Sequence, residues 1–305
     1  MNEPRRVAVV GPTGSGKSAV ALAVAEQAGD TELISIDSMQ VYRGMDIGTA
    51  KPTPAERSRV PHHLLDLVDA DHDFTVAEFQ REYRSTLADL TGRGARAILV
   101  GGTGLYQRAA IDDLDIPGGW PEVRRRLEAE AGAGGSSAMY ARLVAVDPVA
   151  ASRIEASNTR RLVRALEVWE GSGRPFSSFG PGLDSYPPTS VDQVGLRWDR
   201  QVLAGRIRRR VEQMMSDGLL DEVHQLRRSG MSRTATQALG YKELLAHLDG
   251  ELSLADSVEL IVVRTRQFAM RQLRWFGRDP RVRWIDVEDD PVAEAAPIVL
   301  ATLTS

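Results

Sequence analysis

The sequence predicts an α/β fold, a parallel β-sheet flanked by helices with a helical insertion, and three observations lead there. Short apolar runs alternate with helix-like segments toward both ends of the chain. A glycine loop, Gly11-Pro12-Thr13-Gly14-Ser15-Gly16-Lys17-Ser18, separates the apolar run Val7-Ala8-Val9-Val10 from a helix-like stretch over residues 19–25. Between about Asp112 and Arg200 the apolar runs give way to helical segments joined by glycine- and proline-rich connectors.

Each element follows in order. The first strand, glycine loop and first helix succeed one another as a P-loop requires. Its glycines let backbone N–H groups turn inward around a chain of phosphates. Lys17 adds a mobile positive charge, and the Ser18 hydroxyl can ligate Mg²⁺ at the positive end of the helix. The ligand is a di- or triphosphate, and the loop alone does not say which. Residues 32–36 read as a second strand ending at Asp37, and residues 95–100 as a third ending at Gly101-Gly102-Thr103-Gly104. In parallel sheets ligands sit at the carboxyl ends of the strands, so Gly11 to Ser18, Asp37 and Thr103 are expected to converge on one crevice. Helices follow over 121–131, 137–146 and 159–170, with Gly132-Ala133-Gly134-Gly135 and residues 177–188 as the clearest loops. The chain returns through a strand at Val194-Gly195-Leu196 to helices over 200–216, 219–228, 241–248 and 253–274, then a late edge strand, Val282-Arg283-Trp284-Ile285-Asp286. The expected organisation is a P-loop core from residues 1–112 and 200–305 around a helical insertion over 113–199.

Bulk properties bound the function. The 305 residues suit about two structural units, and hydrophobic content of 42% with 26% charged residues suits a globular core. No apolar run approaches the roughly 20 residues of a membrane span. Residues 1–6 lead into the first strand without a signal-like apolar region, so no membrane role and a cytoplasmic location are expected. The absence of cysteine excludes disulfides, thiolate zinc sites and a cysteine nucleophile. Net charge is −4, from 38 basic and 42 acidic residues, which alone argues against a nucleic-acid partner. The arginines are nevertheless clustered, at Arg124-Arg125-Arg126, at Arg160, Arg161 and Arg164, along residues 206–210, and along residues 264–278. A locally basic groove on a mildly acidic body can bind a phosphate backbone. Each cluster taken singly also reads as a solvated helix face paired with nearby carboxylates.

The chemistry turns on the surroundings of the loop. In most ATP- or GTP-hydrolysing P-loop proteins an apolar strand ends in an acid that helps hold Mg²⁺, yet Ile98-Leu99-Val100 ends in Gly101-Gly102-Thr103. Asp37 is the nearby carboxylate. It can orient metal-bound water or take a proton from a nucleophile, and it can equally serve as a turn cap before Ser38.

The loop, the run Asp37-Ser38-Met39-Gln40-Val41-Tyr42-Arg43-Gly44-Met45-Asp46-Ile47-Gly48-Thr49-Ala50-Lys51-Pro52, and Gly101-Gly102-Thr103-Gly104-Leu105-Tyr106 together closely resemble the bacterial tRNA dimethylallyltransferases. The resemblance continues through Pro61-His62-His63-Leu64-Leu65-Asp66, Arg161-Leu162-Val163-Arg164-Ala165-Leu166-Glu167-Val168, Gly240-Tyr241-Lys242-Glu243-Leu244 and Thr265-Arg266-Gln267-Phe268-Ala269-Met270-Arg271-Gln272, nearly the whole chain. Gly14 stands where many relatives have alanine and Ser18 where many have threonine, and the cysteine-histidine module of eukaryotic relatives is absent.

The resemblance implies transfer of a dimethylallyl group from dimethylallyl diphosphate to N6 of the adenosine beside the tRNA anticodon, position 37, by a monomer using Mg²⁺. The loop residues Gly11, Pro12, Thr13, Gly14, Ser15, Gly16, Lys17 and Ser18 would then hold the diphosphate, with Ser18 on the metal. Lys17 and Arg210 would stabilise leaving-group charge, Thr103 would hydrogen-bond leaving group or acceptor base, and Asp37 would accept the N6 proton. By the same resemblance the anticodon stem-loop meets Asp37, Ser38, Met39 and Gln40, Thr103 and Arg124. Its path continues over Arg160, Arg161, Leu162, Val163 and Arg164, then over Gln237, Ala238, Leu239, Gly240, Tyr241 and Lys242. The insertion would grip the anticodon stem. Tyr106 and Tyr241 are candidates to stack on a splayed base, or to be core aromatics. On residues alone Thr103 also reads as a turn hydroxyl and Arg210 as a surface charge. Three alternatives remain: a P-loop kinase, a prenyltransferase acting on free adenine nucleotide, and a nucleotide-dependent RNA-binding switch.

Overall fold

The computed structural model describes residues 5–180 and 182–305, so residues 1–4 and Pro181 of the expected 177–188 connector lie outside the described residues. The chain divides into two compact units, Met1–Ile111 with Pro188–Ser305, and Asp112–Pro187.

In the larger unit the elements run β1 Arg6–Val10, α1 Lys17–Ala28, β2 Thr31–Ile36, α2 Pro54–Arg59, β3 His62–His63, α3 Val76–Arg93, β4 Arg96–Gly101 and α4 Gly104–Ile111. The smaller unit contributes α5 Pro121–Val146, α6 Pro148–Arg153 and α7 Thr159–Ser172. The larger unit resumes with β5 Val191–Trp198, α8 Arg200–Ser216, α9 Leu219–Ser229, α10 Tyr241–Leu248, α11 Leu254–Phe276, β6 Val282–Val287 and α12 Pro291–Thr304. The six strands form one sheet in the order β3-β2-β4-β1-β5-β6, every pairing parallel.

Burial on both faces explains why these strands are nearly continuous apolar runs. Val7 and Val9 of β1 pack with Val20, Val24, Ile207 and Val299 on one side, whereas Ala8 and Val10 pack with Phe79, Val211 and Ile261 on the other. This alternation sandwiches the sheet between two helical layers. Helix starts are set locally: the Thr75 hydroxyl accepts from the Glu78 N–H while Glu78 reaches back to Thr75, a capping box that begins α3. Among the described residues no helix is long and apolar enough to cross a membrane.

Register positions the site. Ile36 of β2 lies opposite Gly101 of β4, and Gly101 opposite Val10 of β1. The segments beginning at Gly11, Asp37 and Gly102 therefore leave the sheet at one level and on one side.

The smaller unit has its own core of Leu127, Leu143, Leu162 and Leu166, each fully buried. Two features differ from expectation. The boundary at 199 is too late, because Val191–Trp198 hydrogen-bonds between β1 and β6 and buries Val194, Leu196 and Trp198 in the larger unit. The expected loop over 132–135 is a kink, non-helical only at Gly135 with φ 76° and ψ 171°, inside the α5 run.

Candidate active site

β1 delivers Gly11 at the carboxyl edge of the sheet, and α1 begins six residues later with Gly16 as its cap. No side chain caps α1 and no acidic residue occupies its first turn, so its leading N–H groups and dipole face the loop unopposed. Gly14 and Gly16 have φ of +81° and +90°, which side chains with a Cβ adopt at a cost. At Gly16 a Cβ would also meet Pro291 Cγ at 2.6 Å, the first residue of α12. The Ser15 hydroxyl is fully buried within the loop and has no hydrogen-bond partner among the described residues.

Three side chains hold the loop from outside. Trp198 Nε1 donates to the Ser15 carbonyl at 2.9 Å, and Arg206 Nε donates to the Gly14 carbonyl at 2.9 Å. Gln272 of α11 accepts from the Thr13 N–H at 2.8 Å and donates to the Gly102 carbonyl at 2.9 Å, tying the loop to the end of β4. No local motif marks any of these three as a loop contact. Arg206 was visible only as one of a cluster, and Gln272 only inside a family-like run.

At the end of β2 the Asp37 carboxylate accepts from the Met39 N–H at 2.8 Å. The Thr103 hydroxyl accepts from the Ser38 N–H at 3.2 Å, and the Thr103 N–H donates to the Ile36 carbonyl at 3.4 Å. Thr103 thus holds the turn carrying Asp37. Lys17 and Arg210 come into the same charge neighbourhood. Burial and then the Arg210 guanidinium lower the Lys17 ammonium to about 8, while Asp37 opposes them. Burial also lowers Arg210, again opposed by Asp37. Beside the loop lies an open cleft of about 330 Å³ lined by Gly14, Gly16, Arg206, Arg209 and Arg210.

The remaining expected contacts divide. In the larger unit, Gln40 turns its amide inward, accepting from Ser35 Oγ at 2.8 Å and donating to the Thr49 and Ala50 carbonyls, both at 3.2 Å. Gln237 and Lys242 are exposed and bonded to each other at 2.9 Å, whereas Ala238, Gly240 and Tyr241 are buried and Leu239 is half-buried. Neither tyrosine is a stacking platform. Tyr241 is fully buried and donates to Glu222 at 2.6 Å, and Tyr106 packs with its ring centroid 4.4 Å from that of Phe79. In the smaller unit Arg160 and Arg161 are exposed. Leu162 and Val163 face inward as core, so they offer no contact surface. Arg124 and Arg164 both engage the buried Glu167, at 2.7 and 3.0 Å.

Known proteins fit this arrangement. A family model described as IPP transferase matches residues 40–279, and one described as isopentenyl transferase matches residues 5–69. The chain belongs to the IPP transferase family. Within that family it is 52% identical to a tRNA dimethylallyltransferase of Pseudarthrobacter chlorophenolicus, over 97% of this chain and 98% of that protein. It is 49% identical to the enzyme of that name from a Nocardioides species, over 97% and 96%. The crystal structure of a Bacillus halodurans tRNA isopentenylpyrophosphate transferase superposes with a TM-score of 0.70 at 38% identity, covering 99% of this chain and 97% of that one. A eukaryotic dimethylallyltransferase acting on tRNA superposes at 0.79 with 27% identity, covering 97% and 78%.

Proposed function

We propose that this chain transfers a dimethylallyl group from dimethylallyl diphosphate to N6 of adenosine 37 in the anticodon loop of tRNA, releasing diphosphate. The observation that carries the reading is the in-register exit of Gly11, Asp37 and Gly102 at one edge of the sheet, in a chain sharing half its residues with tRNA dimethylallyltransferases over nearly full length.

The chemistry follows from the residues gathered there. The allylic C–O bond breaks and leaves its electron pair on diphosphate, while the N6 lone pair forms the new C–N bond. The N–H groups at the uncapped start of α1, with Lys17 and Arg210, stabilise the charge that builds on the leaving group. The Asp37 carboxylate orients the weakly nucleophilic amine and takes its proton as the bond forms. Thr103 fixes the turn that carries Asp37. Extruding the adenine from the loop stack costs a few kcal/mol, less than from a duplex.

Mg²⁺ suits this donor set. Ser18 stands exposed in the first turn of α1, where no side chain caps the helix. Ser18 and the diphosphate's own oxygens would hold the ion, which supplies further positive charge to the leaving group. The stem-loop's contacts in the larger unit would come from the turn over residues 37–40 and from Gln237 and Lys242, and in the smaller unit from Arg160 and Arg161. The protein acts as a cytoplasmic monomer in this reading.

The deciding experiment incubates the protein with labelled dimethylallyl diphosphate and an anticodon stem-loop bearing adenosine at 37, beside an ATP-turnover control. Label on the adenine with no ATP turnover supports the reading. ATP turnover without label transfer overturns it in favour of a kinase or a nucleotide-dependent switch.

A further inference from the structure

Arg206 occupies a position that its hold on the loop does not exhaust. Its Nε donates to the Gly14 carbonyl at 2.9 Å and its guanidinium lies 4.1 Å from the centroid of the Trp198 ring. Those two contacts fix the plane of the group. Neither Nη nitrogen has a hydrogen-bond partner or a carboxylate in contact among the described residues. Nη2 lies 3.7 Å from the point where a Cβ on Gly16 would sit, over the cap of α1. Arg206 also lines the open cleft, together with Arg209 and Arg210.

A half-buried cation with two free, oriented donor groups costs stability unless something anionic completes it. The surroundings supply little: Asp290 acts on its charge from a distance, and that carboxylate already accepts the Val292 N–H at the start of α12. The cleft that Arg206 lines is bounded by Gly14 and Gly16 at the start of α1, a helix with no acidic residue in its first turn, and by Arg209 and Arg210, and that setting favours a phosphate.

We propose that Arg206 is a diphosphate-binding residue, its Nη groups taking the phosphate farther from the prenyl carbon and so selecting a prenyl diphosphate over a monophosphate. The assignment rests on the reading of the P-loop as a diphosphate cradle. Arg206 then differs in role from Arg210, which shares the charge neighbourhood of Lys17 and Asp37.

One substitution separates ligand binding from loop shaping. In Arg206→Gln the amide nitrogen falls where Nε stood and keeps a donor for the Gly14 carbonyl, while both Nη groups and the charge are gone. Titration calorimetry with inorganic diphosphate and with inorganic phosphate reads the result. Arg206→Gln is expected to weaken diphosphate binding about tenfold or more, as loss of a charge-assisted pair implies, and to leave phosphate binding within about twofold of wild type. KM for dimethylallyl diphosphate rises with it, and KM for the stem-loop does not. Wild-type diphosphate affinity in Arg206→Gln, or equal loss for both anions, overturns the proposal and reduces Arg206 to a prop for the loop. If Arg206→Gln melts early, Arg206→Lys decides, since it keeps a cation and loses the Nε donor. It should retain a preference for diphosphate over phosphate, and loss of that preference counts against the role. Failure of the wild-type protein to bind diphosphate at all sinks the cradle reading itself.

Discussion

Lys17 is the residue through which pH enters. Its ammonium is held at about 8, chiefly by burial and then by Arg210. Diphosphate selects the charged form, so binding is at full strength below that pH and weakens as pH rises through it. Affinity for inorganic diphosphate, followed by calorimetry, should fall by up to about tenfold per pH unit above 8, and the slope should vanish in Lys17→Ala. A flat wild-type profile through that range would contradict the assignment. The same depression has the opposite sign for folding: between about 8 and the ordinary 10.5 the unfolded chain binds more protons, so this group makes the protein more stable as pH rises. None of this electrostatics is legible in the sequence, which gives Lys17 a motif but not a neighbourhood.

At the scale of elements, Glu222 of α9 joins two family-like runs that lie far apart in the chain. Its carboxylate accepts from the backbone N–H groups of Asp46, Ile47 and Gly48, at 2.9, 2.8 and 3.1 Å, and from the Tyr241 hydroxyl. The loop it fixes carries the Thr49 and Ala50 carbonyls that hold Gln40, and so the turn beginning at Asp37. Glu222→Ala is therefore expected to raise KM for the stem-loop about tenfold and leave diphosphate affinity unchanged, since three backbone donors lose their acceptor. Equal damage to both substrates would mark general unfolding instead. The sequence indicated strands and helices wherever a strong period met a clear stop, as at Arg200–Ser216 and Tyr241–Leu248, which match the observed bounds. It marks neither α3 nor α12, and its glycines over 132–135 suggest a break in α5 where the helix departs from helical geometry only at Gly135. Glycine-rich composition marks where a helix can bend, not that it ends.

For the whole molecule, the two units have separate cores, and the Thr189 hydroxyl donates to the Ile111 carbonyl at 3.3 Å where the larger unit's two segments meet. Replacing Asp112–Pro187 by a short Gly/Ser linker should leave a cooperative melt and intact diphosphate binding while stem-loop affinity drops. Loss of diphosphate binding, or an unchanged RNA affinity, would contradict that division. Within the smaller unit Leu162→Ala should cost about 2–5 kcal/mol by thermal melt, since Leu162 fills its core; a loss below about 1 kcal/mol would mean the site collapses to fill the gap. The sequence made the core's architecture and the convergence of Gly11, Asp37 and Thr103 legible, because parallel strands dictate where their ends go. It did not separate the arginines that face solvent from those spent internally. Arg124 of α5 reaches Glu167 of α7, and Arg264 of α11 pairs with Glu243 of α10, pairings between helices that no local spacing announces, whereas Arg164 meets the same Glu167 three residues along α7. Asp37, as the base beside the cradle, is the residue on which the proposed transfer depends most. Single-turnover transfer of labelled prenyl group to the stem-loop, measured with Asp37→Ala saturated in both substrates, should slow by about 10²–10⁴-fold with diphosphate binding intact. A wild-type rate would contradict it.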